Sequence, residues 1–187
     1  MHEVFFERVI TDYLTGASIQ DSTYEDLRQG LARMLVEEKG YPRHLLRPKY
    51  AVRAQVDGRE EAFSVDIAAF AEDGTPLLAL FFCPGEVGTF VRESVAAARV
   101  HQPQPFPLVL VTDSMRILLV AAQDGNTLGE GWYAVPRWEE LPGLAAAHPC
   151  PPLAPERLEK ESRILAAYTA LGGACCGGAC ELTGTPS

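Results

Sequence analysis

Lysine is scarce in this chain: only Lys39, Lys49 and Lys160 occur among 187 residues, and the net charge is −9. A freestanding nucleic-acid binder usually shows a basic surface, so this balance counts against tight polyanion binding and leaves only a local basic patch to look for. No run reaches the roughly 18 apolar residues needed to cross a bilayer. The longest apolar stretch, residues 76–84, has the length of a strand. The start, Met1-His2-Glu3, lacks the basic and apolar regions of a signal peptide, so a cytoplasmic location with no membrane partner is the expectation. Five cysteines are an odd number, which argues against a disulfide framework. His2, His44, His101 and His148 are scattered without metal-ligand spacing. A serine-centred elbow, a Gly-rich phosphate loop and a dinucleotide fingerprint are also missing, so no bound nucleotide is expected.

What is present is ordinary globular composition, 47% hydrophobic and 22% charged, in a length suited to one domain with a real core. Residues 4–14 are apolar and end at Thr15-Gly16, which reads as a short helix or strand feeding a turn. Ser22-Thr23-Tyr24-Glu25 has the form of a capping box, and Leu27, Leu31, Met34 and Leu35 follow at helical spacing. Gly40 stops that helix and Pro42 prevents its continuation. The period then changes to two: Tyr50, Val52, Ala54 and Val56 alternate with polar residues, Asp57-Gly58 turns the chain, and residues 62–70 form the returning strand. A turn at Glu72-Asp73-Gly74 leads to residues 77–82, apolar on both faces and therefore a central strand. An Ala-rich helix is expected over residues 87–100, with strands at 108–111 and 117–121. Residues 132–135 suit an edge strand, and 137–147 a short helix. A proline-rich break precedes a helix over 156–171 that packs either on the domain or on a partner. The reading divides the chain into a domain at 1–147, a linker and helix at 148–171, and a mobile Gly/Cys-rich tail at 172–187.

Two clusters carry possible chemistry. Arg43, Arg47, Lys49 and Arg53, with Arg59, lie close together against only Asp57 and Glu60, and are the candidates for nucleic-acid contact; the plainer reading is a solvated face. Cys175, Cys176 and Cys180 offer soft ligands, but without a paired Cys-x-x-Cys or a histidine they read as a redox-exposed tail. Cys83, inside an apolar strand, reads as a buried thiol.

The order of elements, together with Tyr24-Glu25-Asp26-Leu27-Arg28-Gln29, Glu38-Lys39-Gly40-Tyr41-Pro42, Ser64-Val65-Asp66-Ile67-Ala68 and Pro76-Leu77-Leu78-Ala79-Leu80, resembles the N-terminal nuclease domain of type I restriction enzyme R subunits, a branch of the PD-(D/E)xK superfamily. The resemblance covers roughly residues 9–121. It implies an α/β, restriction-endonuclease-like fold: a mixed central sheet with flanking helices in the order α-β-β-β-α-β-β, plus a C-terminal helix.

The resemblance gives Asp66 the role of the family's metal-binding aspartate and sets Glu25 on the first helix as a vestigial partner. The family's Glu-x-Lys falls at Phe81-Phe82-Cys83, which supplies neither a hard ligand nor a cation. The Gln and Tyr that the family carries on the next helix are also missing from Glu93-Ser94-Val95-Ala96-Ala97-Ala98-Arg99. The expectation is therefore a pseudo-nuclease without cofactor, kept for interaction with a protein and, more weakly, with DNA. The alternative is a working Mg²⁺-dependent endonuclease with a rearranged site on Glu25, Asp66 and Glu86, in which Asp66 and Glu86 hold the ion. The plain structural readings are that Glu25 completes the capping box, and that Asp66 pairs with Arg28, Arg53 or Lys49. Glu86 reads first as part of a loop.

Overall fold

The structure is a computed structural model and describes residues 5–83 and 85–174. A six-stranded sheet is ordered β3-β4-β5-β6-β7-β8, formed by Leu46–Val56, Arg59–Phe70, Pro76–Phe82, Leu108–Thr112, Ile117–Ala121 and Thr127–Glu130. Only β5 and β6 run parallel, joined by the crossover helix α2, Val87–Val100. The other neighbours are antiparallel. This is the mixed α/β sheet of a restriction-endonuclease-like fold. Helix α1, Glu25–Arg33, continues through a π-helical turn, Met34–Glu38, and lies on one face with α3, Leu141–Ala147. Helices α2 and α4, Pro155–Ala174, lie on the other.

Strand pleating explains the two layers. In β5, β6 and β7, Leu78, Leu80, Leu108, Leu110, Ile117 and Leu119 belong to the core under α1 and α3. Their neighbours Ala79, Val109, Val111, Leu118 and Val120 belong to the core under α2 and α4. Alternate side chains point to opposite faces, so strands apolar at every position are covered on both. Each such fully buried side chain contributes roughly 1.5–3 kcal/mol. Helix α4 joins this core through Leu165 and is tied down by Arg99, which donates to Glu161 at 2.9 Å and to the carbonyls of Ala122 and Gln123 at 2.6 and 2.9 Å. Of the two placements open to this helix, packing on the domain is the one observed.

Of the helix and strand readings of the apolar start, the strand is the one observed: β1 Phe5–Thr11 pairs with β2 Ser18–Ser22 in a separate two-stranded sheet. Several local expectations change. The edge strand expected at 132–135 is a 3-10 turn, Trp132–Ala134, entered through Gly131 at φ +76. The real edge strand is β8, whose Thr-Leu-Gly-Glu sequence carries no apolar alternation because its role is to pair backbone groups of β7. Helix α1 begins at Glu25 behind Tyr24, whose side chain makes no cap bond. The C-terminal helix extends to Ala174. Cys175, Cys176 and Cys180 lie outside the described residues. Among those described, no helix is long and apolar enough to cross a membrane.

One irregularity positions the site. Leu46 of β3 and Ile67 and Ala69 of β4 belong to the core under α1, but Val52, Ala54, Val56, Phe63 and Val65 belong to the core under α2. The register runs unshifted from Pro48–Ile67 to Tyr50–Val65, so the facing of both strands reverses at the intervening pair, Lys49 and Asp66. Lys49 has φ +48, a left-handed conformation uncommon for a residue with a Cβ. The reversal brings Lys49 and Asp66 to a cleft between the two helical layers.

Candidate functional site

The cleft on the α1 side has a volume of about 240 Å³ and is lined by Glu25, Arg28, Lys49, Ser64, Asp66 and Phe82, with Tyr24. Behind it lies a buried polar network. Arg28, 3% exposed, donates through Nε and Nη2 to Glu25 Oε2 at 3.0 and 2.7 Å, and through Nη2 to Asp12 Oδ2. Gln29 Nε2 donates to Asp12 Oδ2 at 3.0 Å, and its carbonyl accepts Tyr13 N–H at 2.7 Å. Asp12 Oδ1 takes Thr15 N–H and its hydroxyl, both at 2.8 Å. Lys49 Nζ reaches the second oxygen of Glu25 from the cleft.

Burial opposes charge on these acids, and the cations overcome it. Asp12 is pushed up by desolvation, but Arg28 and Thr15 outweigh that and hold it at about 2. Glu25 is likewise raised by burial and brought below its ordinary value by Arg28 and Lys49. Arg28 is depressed by burial and raised on balance by Glu25 and Asp12. Glu25 is thus the anchor of this network, which explains its place in the sequence better than a capping box does. Of the cations expected beside Asp66, Arg28 and Lys49 contact Glu25 and Arg53 contacts Glu60.

Asp66 stands between this cleft and a second cavity. The β4–β5 ladder runs as far as Ile67–Leu80, and just beyond it Asp66 Oδ2 accepts Phe82 N–H at 2.8 Å. The aspartate therefore binds the end of the neighbouring strand. The second cavity, about 300 Å³, lies under α2 and is walled by Phe81, Phe82 and Phe90, with Asp66, Cys83 and Glu93 in its lining. Phe81 and Cys83, which the resemblance sets where the family carries Glu-x-Lys, both line this cavity. Cys83 is fully buried, its thiol 3.7 Å from Gly85 O, and burial pushes it above the ordinary thiol range. Glu93 is half-buried and burial raises it above the usual carboxylate range, opposed by the nearby Thr169 hydroxyl, which itself donates to Leu165 O at 3.0 Å.

The structure brings Glu25, Lys49 and Asp66 to one cleft, but Glu86 is elsewhere. Glu86 is exposed, binds Arg116 at 3.0 Å, and lines neither cavity. No group of three or more His, Cys, Asp or Glu among the described residues is gathered so that it could hold a metal ion. The basic candidates are dispersed over local partners: Arg43 lies over the Tyr13 ring at 4.3 Å, Arg47 over Phe70 at 4.2 Å, and Arg53 on Glu60 at 2.7 Å.

Sequence reasoning missed Asp12, whose segment carries no motif, and the reach of Lys49 to Glu25, made from a left-handed backbone position. It also passed over Glu93. Phe90, Glu93 and Ala97 share one helical face at i, i+3, i+7, a signal that was available.

A family profile described as type I restriction enzyme R protein N terminus (HSDR_N) matches residues 23–136, more than half the chain. No curated protein and no solved structure matches it.

Proposed function

Because the chain belongs to the type I restriction enzyme R protein N-terminal family, we propose that it is a pseudo-nuclease of that family, a cytoplasmic module that no longer cuts DNA and acts by binding a protein. One observation carries the reading. Phe81 and Cys83, which the resemblance sets at the Glu-x-Lys position, are parts of an apolar wall, while Asp66 accepts a backbone N–H of that same strand. Mg²⁺ takes hard oxygen ligands in near-octahedral geometry, and a phenyl ring and a buried thiol supply none. The residues present do not fit the ion.

A protein partner is favoured over DNA by the net charge of −9 and by the engagement of Arg43, Arg47, Lys49 and Arg53 with rings and carboxylates. Weak DNA contact through these four residues is the lesser role. We assign residues 1–147 to the nuclease-like unit, with α4 added as a strut.

A second reading has one observation in its favour: Lys49, Glu25 and Asp66 line the same cleft. A lysine that arrives from β3 instead of β5 would sit beside the aspartate of an active Mg²⁺-dependent endonuclease. Plasmid cleavage by the wild type and Asp66→Ala in Mg²⁺ and in Mn²⁺ separates the two. No nicking by either protein is the expected result. Nicking by the wild type that Asp66→Ala abolishes would establish the second reading.

A further inference from the structure

The cavity under α2 has an unusual balance of groups for a buried space. Its walls are three half-buried phenyl rings, Phe81, Phe82 and Phe90, and its polar lining includes the carboxylates of Asp66 and Glu93. Among the described residues, no lysine, arginine or histidine lines it. Glu93 projects from the first half of α2, and the neighbouring Thr169 hydroxyl donates to Leu165 O at 3.0 Å. The mouth is open at Ala62 and Ser64 on β4 and at Thr169 on α4, all exposed. At about 300 Å³ the space is at the small end of ligand sites, suited to one long side chain instead of a cofactor.

Rings attract a cation over their faces, and carboxylates in a partly desolvated cavity attract it more strongly. A planar guanidinium on an apolar stem satisfies both surfaces at once: the stem and the flat faces lie along phenyl rings while the N–H groups reach acceptors.

We propose that this cavity is the receptor for an arginine side chain presented by a protein partner, seated between Asp66, Glu93 and the three phenylalanines. The proposal rests on the reading of a non-cutting module and names what that module binds. The place where the family's cutting groups would stand has become an acidic aromatic socket. Charge complementarity selects the occupant: a second carboxylate-rich or apolar chain would leave Glu93 as uncompensated as before.

The test is an NMR titration of the full chain with Gly-Gly-Arg-Gly-Gly amide and with the same peptide carrying citrulline, the neutral isostere of arginine. The arginine peptide should bind saturably, with a Kd on the order of 1 mM for one isolated side chain. Its largest shifts should fall on Phe81, Phe90 and Glu93. The citrulline peptide should bind at least about tenfold more weakly, and Glu93→Gln should weaken the arginine peptide by a similar factor. Ser64→Tyr, at an exposed rim position, should block the mouth without touching a charge. Equal binding of the two peptides would overturn the proposal, as would binding unaffected by both variants. Spermidine binding at the same residues more tightly than the peptide would overturn the protein source in favour of a free amine. Displacement of the peptide by millimolar Mg²⁺ would overturn it in favour of a metal. Plasmid cleavage is scored separately, so loss of the non-cutting reading and loss of arginine recognition are distinguishable.

Discussion

On the α1 side of Asp66, the two buried carboxylates of Asp12 and Glu25 face Arg28 and Lys49, and both are held below their ordinary pKa. On the α2 side, Glu93 faces phenyl rings and is held above it. The two cavities share Ser64, Asp66 and Phe82 in their linings, yet Arg28 and Lys49 line the first and, among the described residues, no cation lines the second. A network that satisfies its own charges serves the fold. A half-buried acid in a cavity with no cation in its lining invites a ligand. On the proposed reading, the first region serves stability and the second recognition.

Removal of Arg28 tests the first half most severely. Arg28→Met strands Asp12 and Glu25 in a buried setting and should cost about 3–5 kcal/mol, read from urea unfolding. A loss within about 1 kcal/mol would show that water reaches the network. Acidification is the next largest lever. Folding lowers Asp12 from 3.8 to about 2, so the folded state binds fewer protons between those values. The resulting stabilisation, about 2 kcal/mol, is complete above roughly pH 4 and disappears as pH falls toward 2, with Glu25 contributing in the same direction. Stability measured from pH 6 down to pH 2 in the wild type and Asp12→Asn should differ in slope only across that range.

The same substitution should then have opposite signs on the two sides. Glu25→Gln removes the charge that Arg28 and Lys49 face and should destabilise by roughly 1–2 kcal/mol. Glu93→Gln removes an acid whose ionisation burial opposes, so at neutral pH it should be neutral or stabilising by less than about 1 kcal/mol. Equal losses at both positions would erase the distinction drawn between the cavities. The smallest effect belongs to the exposed Arg53–Glu60 pair, where Arg53→Ala should change stability by less than about 0.5 kcal/mol.

Much of the fold was legible because its signals are local. The Asp57-Gly58 turn, with both residues at positive φ, the double-faced apolar run of β5 and the Ala-rich α2 each state their structure within a few residues. What escaped notice depends on tertiary placement. The edge strand β8 needs only backbone partners, and Asp12 reaches Arg28 from a hairpin that precedes the residues matched by the family profile, 23–136. Asp66 was recognisable as an acid in an apolar strand, but its bond to Phe82 N–H requires knowledge of the β4–β5 register. The aromatic cavity lined by Phe81 and Cys83 could not be read in the sequence, because Phe90 and Glu93 come from a different element.

The central claim is that the metal-dependent centre has been replaced, and isothermal titration of Mn²⁺ and Mg²⁺ into the wild type and Asp66→Ala addresses it most directly. The account predicts no saturable binding that the substitution removes. A one-site isotherm in the wild type that disappears in Asp66→Ala would contradict it.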